Sequence, residues 1–214
     1  MKKLLVAAAV VAMPVGLIAA TGGIASAKGT MVDVTNASIT CTNVSGQLKF
    51  APALTTAGGK PENTNVKLAV SGCTVSGAAV PVTVSAGKGA GVLHSASNGA
   101  AGLLGATAVT GQVNIKWASS PKLTSKMSTV TVTFFTGGTS TDNHATLDIA
   151  AGHASVSGDF TGGDAGANTT LHAETGQTVA QLTTDITPPA KGIKSVTMVS
   201  GNPGQPTPSS LHLG

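Results

Sequence analysis

The 214-residue chain has no arginine, no tyrosine, one tryptophan, four phenylalanines and two cysteines, and only 9% of its residues are charged. Each shortage excludes something. Lysine is the sole strong base, and the sequence has no basic cluster after Lys28. Nucleic acid and anionic membrane are therefore poor partners, since both demand concentrated positive charge. With two cysteines, no closely spaced histidine pair and no second cysteine pair, a structural zinc site is disfavoured. The only glutamates are Glu62 and Glu174, and no motif joins either to an aspartate, so no carboxylate pair for glycoside hydrolysis stands out. No Gly-x-Ser-x-Gly elbow is present. The stretch 201–214 is rich in Pro, Ser and Gly and carries no apolar run, so no membrane anchor is expected there.

The first 27 residues hold an address. Lys2 and Lys3 precede an apolar run over 4–20, and Ala25-Ser26-Ala27 has the small-x-small form of a signal peptidase site. The expected order is a signal peptide over 1–27, one domain over 28–199 and a flexible tail over 200–214. The mature chain is expected to be secreted, either free outside the cell or associated with the cell wall. No cysteine stands at the cleavage site, which argues against a lipid-anchored form. Loss of Lys2 and Lys3 leaves 10 lysines against 8 acids, a net charge of +2. In an exported chain, the even cysteine number reads as a Cys41–Cys73 disulfide, with two unpaired buried thiols as the alternative.

What is abundant is Gly, Thr, Ser, Val and Ala. β-branched side chains suit a pleated surface, and the dominant pattern is alternation. Val66, Leu68 and Val70 share a face, as do Val80, Val82 and Val84. Val113, Ile115 and Trp117 share another, with Gln112, Asn114 and Lys116 opposite. Val130, Val132 and Phe134 point one way and Thr129, Thr131 and Thr133 the other. Pro81 places its strand at an edge or at a strand start. Turns are expected at 43–46, 58–61, 150–152 and 161–164, the third closing a hairpin. Residues 87–105 read as a long Gly/Ala/Ser loop. Thr178 and Gln181 have capping-box spacing ahead of Val179 and Leu182, which predicts a short helix, and a final strand follows over 193–198. The fold class expected is all-β, a mostly antiparallel β-sandwich (Ig-like or jelly-roll-like) with one short helix near the C-terminus.

Certain segments resemble a known group. They are Ser38-Ile39-Thr40-Cys41 with Gly46-Gln47-Leu48-Lys49-Phe50, then Leu68-Ala69-Val70-Ser71-Gly72-Cys73-Thr74. Gly111-Gln112-Val113-Asn114-Ile115-Lys116-Trp117 and Gly192-Ile193-Lys194-Ser195-Val196-Thr197 follow. Their order is similar to that of a family of exported actinobacterial β-rich proteins with a cysteine pair. Relatives often carry a further pair, near position 103 and after the short helix. This chain has neither, so no second disulfide is implied. The family brings no established activity and no catalytic residues, and the resemblance bears on fold and address alone.

Of the remaining candidates, His144 and His153 fall near opposite ends of one expected strand, roughly 15 Å apart at about 3.3 Å per residue, too far to share a metal ion. His94 and His172 lack further ligands. Asp159, Asp164 and Asn168 sit in a Gly-rich stretch without EF-hand spacing and are expected to bond their own turns rather than hold Ca²⁺. Trp117 is the one large amphipathic ring and thus the one candidate ligand contact, although its alternation places it in the core. Neither a catalytic site nor a cofactor is expected. The reading is an exported, non-enzymatic envelope or extracellular protein acting through surface contacts. Its partner would be cell-wall polysaccharide or another envelope protein. The alternatives are a carbohydrate- or cell-wall-binding module, a subunit of a surface polymer and, least favoured, a hydrolase.

Overall fold

A computed structural model describes residues 30–100, 103–163, 168–200 and 209–214. The signal peptide expected over 1–27 and most of the expected tail lie outside these residues. Ten strands and one helix follow in order: β1 (Ser38–Leu54), β2 (Glu62–Ser76), β3 (Thr83–Ser95), β4 (Ala106–Ser120), β5 (Met127–Thr139), β6 (His144–Ile149), β7 (Ala154–Gly158), β8 (Thr170–Thr178), α1 (Val179–Ile186), β9 (Ile193–Val199) and β10 (Ser210–Leu213).

All pairings between these strands are antiparallel, and they form one sheet. β1 to β5 make a meander. β6 and β7 lie along the far flank of β5, β8 pairs with β6, and β9 and β10 each bridge β8 to β1. The sheet thus closes on itself. The expected all-β, antiparallel architecture is present, and its facing layers are opposite walls of one continuous sheet. Closure follows from burial: Leu48, Val66, Val113, Val130, Leu147, Met198 and Leu211 come from seven different strands and all point to one core, while alternate residues face outward.

The alternation in β2 and β4 appears in the structure as read. Val66 and Val70, then Val113, Ile115 and Trp117, are buried. β3 begins two residues after Pro81, and the loop at 58–61 connects β1 to β2. Helix α1 has the expected capping box, Thr178 Oγ1 accepting from the Gln181 N–H and Gln181 Oε1 from the Thr178 N–H, and Leu182 is fully buried. Cys41 and Cys73 stand directly opposite one another on β1 and β2 and are joined as a disulfide.

Five expectations are corrected. Residues 43–46 do not turn, because β1 runs unbroken for 17 residues. Gly46 is there for close approach: a Cβ would come 2.1 Å from the Lys67 carbonyl oxygen. Residues 87–105 are not one loop, since β3 continues to Ser95. Gly87 and Gly89 occupy inward positions covered by Trp117, Ile115 and Leu68 of the neighbouring strands. Residues 150–152 do turn, but β6 and β7 do not form a hairpin; they lie end to end against β5. Phe134 leaves the Val130–Val132 face. A bulge in β4 between Ala108 and Gly111 shifts its register against β5, and past it Phe135 packs against the core while Phe134 stacks on His153, with ring centroids 4.9 Å apart. The tail is not flexible to its end: β10 is held between β1 and β8, with Leu211 and Leu213 buried. The pull on this segment is the apolar pair Leu211 and Leu213, two residues apart and therefore on one strand face.

Candidate functional site

The meander positions an outer wall of uniform chemistry. β1, β3, β4, β5 and β9 contain no acidic residue, and the only one in β2, Glu62, is buried. Register then decides what meets what. One row runs Ser195, Lys49, Asn65, Val92, Gln112, Thr131, Ser155, and the next runs Thr197, Gln47, Lys67, Ala90, Asn114, Thr129, Ser157. At about 4.8 Å per strand, each row spans roughly 29 Å along the sheet. Gln112 Nε2 donates to Thr131 Oγ1, and Thr129 Oγ1 donates to Asn114 Oδ1, which fixes these amides.

Four lysines cross these rows as a stripe. Lys49 is diagonal to Lys67, Lys67 is diagonal to Lys88, and Lys88 is directly opposite Lys116. All four are exposed, and among the described residues none has a carboxylate within 4 Å. Diagonal neighbours stand about 7–8 Å apart and opposed ones about 4.5–5.5 Å, and like charges directly opposed are destabilising. Among the described residues the wall therefore carries positive charge with no carboxylate in contact, set among amide and hydroxyl groups able to donate and accept hydrogen bonds. The sequence has no basic cluster because these lysines lie 18 to 28 positions apart, as 67 − 49 and 116 − 88 show; only strand register gathers them.

A second polar group lies where β6 meets β8. Asp148 is opposite His172, and Thr146 is opposite Glu174. His172 Nδ1 is 2.5 Å from Asp148 Oδ1, and Thr146 Oγ1 donates to Asp148 Oδ2. The bond to Asp148 raises the His172 pKa, against the opposing effect of burial. Glu174 is fully buried, and neither carboxylate oxygen accepts a well-formed hydrogen bond. Burial pushes its pKa up and the Asp142 charge adds to this, while His172, His144 and the Ser140 hydroxyl oppose. Ser140, Asp148 and His172 line one cleft. Ser140 Oγ donates to Asp142, however, and His172 Nε2 is buried without a hydrogen-bond partner. A nucleophile–base–carboxylate relay is not assembled there.

The other residues singled out in the sequence are accounted for. Trp117 is 8% exposed, its Nε1–H donates to Ser128 Oγ, and its ring meets Phe160 edge-on. It is a core residue and not a ligand contact. His144 Nδ1 pairs with the Thr175 carbonyl, His94 with Asn63, and His212 with Thr40. Asp159 is buried, accepts from the backbone of Ser125 and Met127, and has its pKa raised chiefly by burial; Asp164 lies outside the described residues. Among the described residues, no group of three or more His, Cys, Asp or Glu is placed to hold a metal ion, and no helix is long and apolar enough to cross a membrane. No protein family, curated protein or solved structure matches this chain.

Proposed function

We propose that this chain is an exported, non-enzymatic envelope or extracellular protein that binds acidic cell-wall polysaccharide through its lysine-striped wall. One observation carries the reading: Lys88 and Lys116 oppose each other across β3 and β4, and among the described residues no carboxylate lies within 4 Å of either. A chain of anionic sugars laid along the wall would convert this repulsion to attraction. The Asn, Gln and Thr side chains beside the lysines supply hydrogen bonds suited to sugar hydroxyls, and because neither of these two rows holds a ring, affinity there comes from charge and amides rather than stacking. Export rests on the basic, apolar and small-residue order of 1–27. A polymerising subunit has less support, because each long strand is paired on both flanks and, among the described strands, only the five-residue β7 has a single partner.

The test is co-sedimentation of the mature protein with purified cell wall, together with titration by soluble polygalacturonate. Retention is expected at low salt, with steep loss as added salt shortens the screening length from about 10 Å at 0.1 M to about 3 Å at 1 M. Lys67→Glu with Lys88→Glu should abolish it. Retention that survives 1 M salt or the double substitution would sink the proposal.

A further inference from the structure

The cleft where β6 lies between β5 and β8 has a volume of about 380 Å³, within the usual range of small-molecule sites, about 300–1,000 Å³. Strand register builds it. Thr136, Asp148 and His172 form one row across β5, β6 and β8, and Gly138, Thr146 and Glu174 form the next. Gly138 keeps the space open: a Cβ there would lie 2.7 Å from Thr146 Oγ1 and 3.9 Å from Asp148 Oδ2. Exposed Thr136, Thr139 and Thr141 bring hydroxyls to its lining. The Glu174 carboxylate oxygens and His172 Nε2 are shut off from the surface and are not ligand contacts.

Asp148 is the carboxylate that lines this space and stays open, with its side chain 39% exposed. A carboxylate offers about four acceptor positions. Two are taken here, one on Oδ1 by His172 Nδ1 and one on Oδ2 by the Thr146 hydroxyl. Charge is lopsided on this side of the molecule. Residues 127–190 hold Asp142, Asp148, Asp159, Asp164, Glu174 and Asp185 and no lysine, so histidine is the only basic residue type in the span. Among the described residues no lysine nitrogen lies within 4 Å of a carboxylate, and no three His, Cys, Asp or Glu converge to hold a metal ion. The cation best served by an open carboxylate among hydroxyls is therefore an organic ammonium, which donates in three directions and needs no cage of ligands.

We propose that this cleft binds a small polyhydroxylated primary amine, its ammonium donating to Asp148 and its hydroxyls meeting those of Thr136, Thr139 and Thr141. Volume sets the size. A cavity of about 150 Å³ takes benzene, or about 25 Å³ per non-hydrogen atom. At that rate about 380 Å³ holds about 15 such atoms. The site lies apart from the lysine stripe of β1 to β4 and goes beyond the function assigned to it.

The probes are 1-amino-1-deoxysorbitol, sorbitol and hexylamine, each titrated into the folded protein while the Gly138 and Thr139 amides and the His172 ring protons are followed by NMR. At about pH 7 an aliphatic amine is fully charged. Saturable shifts are expected with the amino-sorbitol. Sorbitol, which exchanges the ammonium for a hydroxyl, should bind at least about tenfold more weakly, the value of a hydrogen bond to a charged group. Hexylamine keeps the ammonium and drops the hydroxyls, and should bind at least about fivefold more weakly. Asp148→Asn keeps the shape and removes the charge, and should bring the amino-sorbitol to within about twofold of sorbitol. Four results overturn the proposal: no saturable shift of these resonances with the amino-sorbitol, equal affinity for sorbitol, equal affinity for hexylamine, or unaltered amino-sorbitol affinity in Asp148→Asn. The first three need no variant.

Discussion

Lys88→Glu should make the protein more stable while weakening the proposed hold on acidic polysaccharide. Lys88 and Lys116 are directly opposed, so their charges sit roughly 5 Å apart when the side chains run parallel. In water that repulsion is about 0.8 kcal/mol. Screening and splaying of two long side chains reduce it to about half. Reversing one charge turns repulsion into attraction of similar size, a swing of about 0.5–1 kcal/mol. For a domain of this length that raises Tm by about 1–4 °C. Calorimetry at 20 mM and 500 mM salt measures it, and the gain should shrink at the higher salt. Wall co-sedimentation on the same sample should show weakened retention. A destabilised variant, a salt-independent gain or unaltered retention would refute the reasoning that these lysines are held together for an anionic partner.

Three further outcomes follow from the packing. Replacing Cys41 and Cys73 by Ala opens a loop whose ends are 32 positions apart; in the chain-entropy model this costs about 3.7 kcal/mol, or a Tm lower by about 7–15 °C in calorimetry. Stability should fall as pH rises. His172 is raised by its bond to Asp148, and Glu62, Asp159 and Glu174 are raised by burial. The folded chain therefore keeps protons that the unfolded chain has released, and the slope of stability with pH is negative. The carboxylate contribution is complete below about pH 4 and is lost above it, and that of His172 is lost above about pH 6.5. Urea midpoints at pH 5 and pH 8 check this, with Glu174→Gln flattening the difference; a higher midpoint at pH 8 would count against it. Gly87→Ala places a methyl 2.6 Å from Cζ3 of Trp117 and 2.8 Å from Cγ2 of Val70. It should destabilise by about 1–3 kcal/mol and alter the fluorescence of the sole tryptophan. A silent variant would mean that Trp117 does not lie over β3.

Legibility in the sequence tracked the size of the side chain at inward positions. Val66, Val70, Val113, Ile115 and Trp117 announce β2 and β4 because a large apolar group stands at every second place. β3 uses the same alternation, but Gly87 and Gly89 erase its hydrophobic half, and Lys88, Ala90 and Val92 on the other face read as noise. The turn chemistry at Asn43 and Gly46 was misleading for a related reason: glycine also serves where two backbones approach closely, and composition does not distinguish the uses. Closure of the sheet depends on Ile39 meeting Leu213 and Leu48 meeting Val196, contacts no local window contains. The lysine wall was invisible because it exists only after β1 to β4 take their register. The short helix and the disulfide were legible, since a capping box is local and two cysteines have a single possible pairing within the chain.

The way the ring shuts has a kinetic meaning. β1 accepts β10 on one flank only after nearly the entire chain has been laid down between them, and until that moment β1 and β8 each offer a bare row of amides. Such distant pairing is slow, and an open flank is a seat for a neighbour's strand as readily as for the molecule's own. Crowded refolding should therefore yield exchanged dimers in which each copy lends its β10 to the other, whereas dilute refolding should return monomers.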